Sequence, residues 1–252
     1  MPIDTKNTLR LKRIAMSRHT VDLRMNRYDS NRRSILFVHG IGASGRYFLP
    51  LAGKMSATHN VFVVDLPGYG NTPKPPAALS IRELSDVIIE LTHRLNLEKT
   101  ILIGHSMGCQ IVARAVQKEP MLYDKMVLIG PTVNSKERTL FMQSLRLAQD
   151  VIYEPMRVRQ MILSDYMHMG FRRYLQTCRH MMNDHIEESL ADCRLPILIV
   201  RGKKDKIVPA DWVRVLCTVA PDAKCHEIAD APHAAQYKMA SRLAAVCCKF
   251  AG

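Results

Sequence analysis

Residues 101–116 read ILIGHSMGCQIVARAV, and this stretch decides the fold class. Its first three residues are typical of a short buried strand, and the residues from Cys109 onward have the apolar spacing of a helix. Between them lies the pattern Gly-x-Ser-x-Gly, with Ser106 at its centre. In this context the pattern predicts a nucleophile elbow, a tight strand-to-helix turn that exposes a serine hydroxyl above a parallel sheet.

Four more short apolar runs, each bounded by turn residues, cover residues 35–38, 61–64, 126–129 and 197–200. Continuous runs of Val, Ile and Leu indicate parallel strands that are buried on both faces. Helical patterns alternate with them, and the one over residues 80–95 begins with a capping-box sequence. This alternation predicts a doubly wound α/β sheet. Further helices are predicted over 46–56, 106–118, 211–220 and 234–250, and a further strand over 224–229.

One segment departs from the alternation. Residues 131–193 contain no strand-like run and include seven of the fifteen methionines. We therefore predict a core of residues 1–130 and 194–252, with a helical cap insertion of residues 131–193. The methionines either line an adaptable apolar pocket or pack the cap onto the core, and the sequence leaves both open. The weakly alternating, basic stretch 9–27 predicts a hairpin at the sheet edge.

Composition limits the other classes of function. The chain has 252 residues, of which 47% are hydrophobic, so it suits one globular core and excludes fibrous and disordered classes. No apolar run approaches the roughly 18–20 residues that cross a bilayer, and no signal-peptide pattern opens the chain. We expect a cytoplasmic protein with no stable membrane insertion. The net charge of +13 comes with no nucleic-acid-binding motif, so we expect no nucleic-acid partner.

The cysteines and histidines show no metal-binding pattern. Seven cysteines are scattered without Cys-x-x-Cys spacing, and we interpret all of them as free thiols, mostly in the core. No His, Cys, Asp and Glu cluster has the spacing of metal ligands. We therefore expect no metal and no cofactor. The expected partner is a small-molecule ester substrate, and a homodimer is compatible with the sequence.

A nucleophilic serine needs a base, and the base needs an orienting carboxylate. After Ser106, Asp205 follows the strand at 197–200, and His233 lies in the loop before the last helix. Both therefore belong to the sheet edge where open α/β sheets hold ligands. Asp230 is the rival acid, but it is too close in sequence to orient His233 without a special turn. His105 belongs to the elbow and is expected to point away from it.

A second glycine-containing loop, His-Gly-Ile-Gly at residues 39–42, follows the strand at 35–38. Such a loop can aim a backbone N–H at the nucleophile. We predict an oxyanion hole formed by the backbone N–H groups of Ile41 and Met107, with Gly42 as the alternative to Ile41. His39 is interpreted as a residue that braces the loop.

Together these motifs resemble the α/β-hydrolase superfamily, and the match spans nearly the whole chain. The resemblance rests on His-Gly at 39–40, DLPGYG at 65–70, GHSMG at 104–108, GKKDKIVP at 202–209 and the late His233. It implies that Ser106, Asp205 and His233 act as nucleophile, acid and base. It also implies that Ile41 and Met107 supply the oxyanion hole.

The implied activity is that of a serine hydrolase. It would cleave carboxylic esters of small to medium, largely apolar substrates through an acyl-Ser106 intermediate. A serine nucleophile argues against dehalogenases and epoxide hydrolases of the same superfamily. A carbon–carbon bond hydrolase of ring-cleavage products, a lactonase and a thioesterase are the alternatives. A non-catalytic ligand-binding protein on the same scaffold is the alternative from a different class.

Overall fold

The computed structural model describes residues 9–252; residues 1–8, where the predicted core begins, lie outside the described residues. Eight strands form one sheet in the order β1-β2-β4-β3-β5-β6-β7-β8, antiparallel only at β1/β2 and β2/β4. The strands are β1 Arg10–Ala15, β2 Thr20–Met25, β3 Ser34–Val38, β4 Asn60–Asp65, β5 Thr100–His105, β6 Tyr123–Ile129, β7 Ile197–Gly202 and β8 Ala223–Ile228. The predicted α/β fold and the N-terminal hairpin are therefore observed.

Ten α-helices accompany these strands in the described part of the chain. They are α1 Leu49–Met55, α2 Ile81–Arg94, α3 Met107–Lys118, α4 Leu140–Val151, α5 Met156–Met169, α6 Phe171–Asn183, α7 Ile186–Ala191, α8 Ala210–Val219, α9 Ala235–Lys238 and α10 Ala240–Ala251. Ser80 caps α2, and Glu83 completes the predicted capping box. The helix predicted over 234–250 is two helices, because the backbone at Met239 (φ −116°, ψ 32°) leaves the helical region.

The central strands are buried on both faces, which explains why their sequences do not alternate. In β3, Ile35 and Phe37 pack into the layer that contains α1 and α10, whereas Leu36 and Val38 pack into the layer that contains α2 and α3. All four side chains are fully buried. Apolar side chains on successive residues therefore fill two cores.

The segment between β6 and β7 carries four α-helices, α4 to α7, and no strand. Polar contacts attach its end to α3 of the core. Gln110 donates hydrogen bonds to the backbone carbonyls of Met181 and Asp184, and Arg114 pairs with the Asp184 carboxylate at 2.7 Å. These buried bonds hold this part of the insertion against α3.

One prediction about the cysteines is wrong. Cys217 of α8 and Cys225 of β8 form a disulfide, with their Cα atoms 6.4 Å apart. The other five cysteines are free, in agreement with the prediction. Packing of α8 against β8 brings the two residues together, and linear spacing does not encode that helix-to-strand contact.

The turn between β5 and α3 requires glycine on both sides of Ser106. A Cβ at Gly104 would lie 2.5 Å from the carbonyl oxygen of Gly108, and a Cβ at Gly108 would lie 2.1 Å from that of Val38. Ser106 itself has φ +54°, a left-handed conformation that a residue with a Cβ rarely adopts. The close approach of α3 to β3 and β5 thus fixes the turn.

This close approach predicts opposite effects for two Gly→Ala substitutions. Gly108→Ala should lower the free energy of unfolding by about 1–3 kcal/mol, because the new methyl group must displace backbone. Gly53→Ala is the matched control: it lies in α1, and its Cβ would meet nothing within 4 Å. It should raise stability by about 0.5–1 kcal/mol. Urea unfolding measures both, and equal effects would contradict the account of the turn.

Candidate active site

An apolar cavity of 440 Å³ lies at the carboxyl ends of the parallel strands, between the sheet and the insertion. Ser106 and His233 both line it, together with Gly40 and Ile41 from the loop after β3. Thr132 and Val133, from the loop after β6, also reach the cavity. The insertion supplies the opposite wall through Gln143, Leu147, Asp150, Glu154, Arg159, Ile162, Leu163, Tyr166, Tyr174, Cys178, Met181 and Met182.

Asp205 and His233 form a buried pair. His233 Nδ1 lies 2.8 Å from Asp205 Oδ2. The other oxygen of Asp205 accepts hydrogen bonds from the backbone N–H groups of Ile207 and Val208, at 2.8 and 2.9 Å. These bonds fix the carboxylate, so that Asp205 can orient the imidazole and leave Nε2 for other partners. The sequence placed both residues at this edge of the sheet.

The charges around His233 strongly favour its protonated form. Burial alone would lower the pKa of the imidazole, but the charge of Asp205 and its hydrogen bond, with Asp150 and Glu154 adding to them, raise the pKa to about 9. An imidazolium formed by proton transfer from a nucleophile would be stabilised by the same charges.

The rival carboxylate, Asp230, lies away from this pair. It is exposed, has φ +62°, and forms a salt bridge with Lys204 at 2.9 Å. The pKa of Asp230 is lowered by its hydrogen bond to Lys204 and by the positive charge of that residue. Asp230 therefore belongs to a surface ion pair and does not orient His233.

Ser106 is buried at the elbow. Its hydroxyl lies 3.5 Å from the hydroxyl of Thr132, and residues 9–252 include no Ser106–His233 hydrogen bond. Bonds of this kind are often long or poorly aligned before a substrate binds. Thr132 was not predicted from the sequence, because only the pairing of β6 with β5 brings it beside the elbow.

The two predicted oxyanion donors lie on different elements. Ile41 lines the cavity, whereas Gly42, the alternative, has φ +61° and packs against the ring of Tyr166. Met107 is the first residue of α3. A backbone N–H at that position has no acceptor within its own helix, and the helix dipole favours negative charge there. His39 braces the loop, since its ring contacts the carbonyl of Gly40 and the N–H of Leu66.

His105 takes a position that the sequence did not indicate. Its ring lies 4.5 Å from the His233 ring, between centroids, and its Nε2 lies 3.1 Å from the His233 carbonyl oxygen. A carbonyl only accepts, so Nε2 donates, and Nδ1 accepts from the Tyr47 hydroxyl at 2.8 Å. Tyr47 in turn accepts from the N–H of Gly40 at 2.7 Å. This chain of bonds joins the glycine loop, the elbow and the His233 loop.

The neutral state of His105 suits this network. Burial, followed by the charge of His233, keeps the pKa of His105 well below its ordinary value. Burial also raises the pKa of Tyr47 well above its ordinary range, so its hydroxyl keeps its proton. Both groups therefore act as fixed hydrogen-bonding groups.

No group of three or more His, Cys, Asp or Glu side chains in residues 9–252 could hold a metal ion. Within the same residues, every helix is too short or too polar to span a bilayer.

A mostly parallel eight-stranded sheet with a serine elbow and a buried Asp–His pair at its carboxyl edge defines a hydrolase of the α/β class. The family model described as "Alpha/beta hydrolase family" matches residues 35–246. The chain therefore belongs to the alpha/beta hydrolase family, as its motifs predicted.

Individual relatives carry out several reactions. The chain is 26% identical over 225 residues to a 2-(acetamidomethylene)succinate hydrolase of Mesorhizobium japonicum, covering 79% of this chain and 81% of the relative. Two solved structures share the fold: an enol-lactonase from Burkholderia xenovorans (TM-score 0.81, 19% identity, 95% and 99% coverage) and an esterase from Thermogutta terrifontis (TM-score 0.80, 16% identity, 96% and 97% coverage). The two structures show the shared fold, and the family match supports a hydrolase. The relatives do not define which bond this chain cleaves.

The elevated pKa of His233 predicts how stability depends on pH. The folded protein holds this proton up to about pH 9, whereas an unfolded histidine loses it near 6.5. The resulting stabilisation is complete below pH 6.5 and disappears as the pH rises to about 9. As the pH rises from 6.5 to about 9, the free energy of unfolding should therefore fall more for wild type than for His233→Gln. The difference should grow by up to about 1.4 kcal/mol per pH unit. Parallel unfolding curves for the two proteins would contradict the assigned charge state.

Proposed function

We propose that this protein is a serine hydrolase that cleaves carboxylic esters through an acyl-Ser106 intermediate. One observation carries the proposal: Ser106 and His233 line the same apolar cavity, and the buried Asp205 holds His233 through a hydrogen bond to its Nδ1. In this proposal Ser106 is the nucleophile, His233 the general base and Asp205 its orienting carboxylate.

The first half of the reaction forms the acyl-enzyme. As the Ser106 oxygen attacks the ester carbonyl carbon, its proton passes to His233 Nε2. The carbonyl oxygen becomes an oxyanion, which accepts hydrogen bonds from the backbone N–H groups of Ile41 and Met107. His233 then donates the proton to the alcohol oxygen as the C–O bond breaks, so the alcohol leaves and the acyl group stays on Ser106.

The second half removes the acyl group. Water replaces the alcohol, and His233 accepts one of its protons as the oxygen attacks the acyl carbon. Collapse of the second tetrahedral intermediate returns the proton to Ser106 and releases the carboxylic acid. The chain's own residues supply every group that these steps require, so the mechanism uses neither a metal nor a cofactor.

The cavity supports a small to medium, largely apolar substrate. Its volume of 440 Å³ lies at the lower end of the roughly 300–1,000 Å³ range for ligand sites. Leu147, Ile162 and Leu163 present apolar side chains from the insertion. Two of the seven methionines of the insertion, Met181 and Met182, also line the cavity. In this proposal the insertion serves as a cap that covers the bound substrate.

Other hydrolysis reactions are alternatives to ester cleavage. Lactone, thioester and carbon–carbon bond hydrolysis can all use a serine elbow, and the structural neighbour from Burkholderia xenovorans is an enol-lactonase. A ligand-binding protein on this scaffold would keep the cavity but perform no turnover. These are the outcomes that the substrate experiments distinguish.

Removal of the nucleophile should abolish activity. Ser106→Ala should reduce p-nitrophenyl butyrate hydrolysis by at least about 10³-fold, because no acyl-enzyme can form. Thr132→Val, which removes the neighbouring hydroxyl, is the control and should retain measurable turnover. A fluorophosphonate probe should label wild type at Ser106 and should not label Ser106→Ala. A folded wild-type protein that never labels would favour the ligand-binding alternative.

Acyl-chain preference should follow the cavity volume. Among p-nitrophenyl esters, kcat/KM should be highest for chains of about two to eight carbons and fall by about tenfold or more for chains of sixteen, which exceed the cavity. A lactone and a ring-cleavage product belong to the same panel. A higher kcat/KM for either would replace the ester assignment, and a rising preference for long chains would contradict the size assignment.

A further inference from the structure

Two acidic side chains of the insertion, Asp150 and Glu154, face the active-site cavity. Asp150 belongs to the last turn of α4, and Glu154 lies just before α5. Both line the cavity, and their exposed fractions are only 2% and 6%. Burial of two carboxylates is costly unless polar groups compensate for the lost water, so each contact they make is informative.

Their contacts are with the two loops that carry Asp205 and His233. Glu154 Oε1 accepts a hydrogen bond from the backbone N–H of Ala234, the residue after His233, at 2.7 Å. Asp150 Oδ1 accepts one from the backbone N–H of Lys206, the residue after Asp205, at 3.1 Å. The insertion thus contacts the backbone of both loops, one residue beyond each member of the acid–base pair.

The second carboxyl oxygen of Glu154, Oε2, has no hydrogen-bond donor in the described part of the chain. Among residues 9–252, no N–H or O–H donor reaches Glu154 Oε2, which is fully buried. Burial, followed by the charge of Asp150 and a hydrogen bond to it, raises the pKa of Glu154 to about 7. A single proton shared by the two carboxyl groups would leave the pair with one negative charge.

The groups around this pair are few. Asp205 and His233 face it from their loops, and Arg159 of α5 lines the same cavity. The ammonium groups of Lys206 and Lys238 lie instead against the ring and the carbonyl oxygen of Tyr153, at 5.7 and 3.2 Å. No ion pair in the described chain includes Asp150 or Glu154. The charge of the pair therefore acts mainly on the imidazole of His233.

We propose that Asp150 and Glu154 are positioning residues, which hold the Asp205 and His233 loops against the insertion and set the charge around the His233 imidazole. The inference rests on the proposed function, because it assigns His233 the role of base. It extends that function by making the insertion part of the acid–base machinery as well as a cover for the substrate.

The pair gives catalysis a defined pH dependence. Negative charge near the imidazole favours imidazolium, and the base must be neutral to accept the Ser106 proton. A second negative charge, present once Glu154 loses its proton, raises the pKa of His233 further. Neutral replacements at either position should therefore lower the pKa of His233 and move the acidic limb of kcat/KM to lower pH.

Three variants separate charge from position. Glu154→Gln keeps an acceptor for the Ala234 N–H and offers an N–H to Asp150, so it mimics the protonated residue. Asp150→Asn keeps an acceptor for the Lys206 N–H without the charge. Glu154→Ala removes the contact to the His233 loop altogether. Glu187→Gln is the matched control, since Glu187 pairs with Arg138 elsewhere on the insertion and does not line the cavity.

Two measurements test the proposal: the pH profiles of kcat and kcat/KM with p-nitrophenyl butyrate, and an NMR titration of the His233 imidazole, assigned with His233→Gln. Glu154→Gln and Asp150→Asn should shift the acidic limb and the imidazole titration down by about 0.5–1 pH unit. Glu154→Ala should reduce kcat by about tenfold or more with little change in KM, and Glu154→Gln should restore kcat. Glu187→Gln should match wild type.

Unchanged titration of His233 in both Glu154→Gln and Asp150→Asn would overturn the proposal, as would full kcat in Glu154→Ala. Glu154→Gln and Asp150→Asn test the proposal even if Glu154→Ala does not fold. A wild-type protein that hydrolyses no ester would refute the proposed function instead. The NMR titration needs no substrate and would still test the coupling between the pair and His233.

Discussion

The left-handed backbone at Ser106 is the constraint on which the site depends. With φ +54°, the residue reverses the chain between β5 and α3, and two glycines let the helix approach β3 and β5. Strained backbone of this kind persists only where the surrounding structure holds it in place. Here the sheet and α3 hold it, and the result is a serine at a helix N-terminus, where amide groups and the helix dipole favour negative charge.

The remaining groups reach the elbow because the sheet is parallel at its centre. The loops after β3, β7 and β8 end at the same edge as β5, so Ile41, Asp205 and His233 arrive beside Ser106 from distant parts of the chain. Two hydrogen-bond systems then fix them. One joins Gly40, Tyr47, His105 and the His233 carbonyl inside the core, and the other joins the insertion to the Asp205 and His233 loops.

The sequence predicted the parts that are local in the chain. Short apolar runs predicted the central strands, the capping box predicted α2, and strand-end loops identified Ser106, Asp205 and His233 as candidates. The sequence did not predict the contacts between segments that are distant in the chain. Tyr47 and His105 meet only when the loop after β3 folds over the elbow, and the Cys217–Cys225 disulfide forms only because α8 packs on β8. Glu154 carries no motif, since its partner is a backbone N–H eighty residues away.

The insertion therefore has two proposed roles. Its apolar side chains shape a cavity, and its two buried carboxylates connect that cavity to the electrostatics of His233. The proposed catalytic use of both features rests on a covalent intermediate at Ser106. Mass spectrometry of protein quenched during p-nitrophenyl butyrate turnover tests this most directly. We expect one butyryl group on the peptide that contains Ser106. Turnover with no acyl adduct at Ser106, or with the adduct on another residue, would contradict the proposed intermediate.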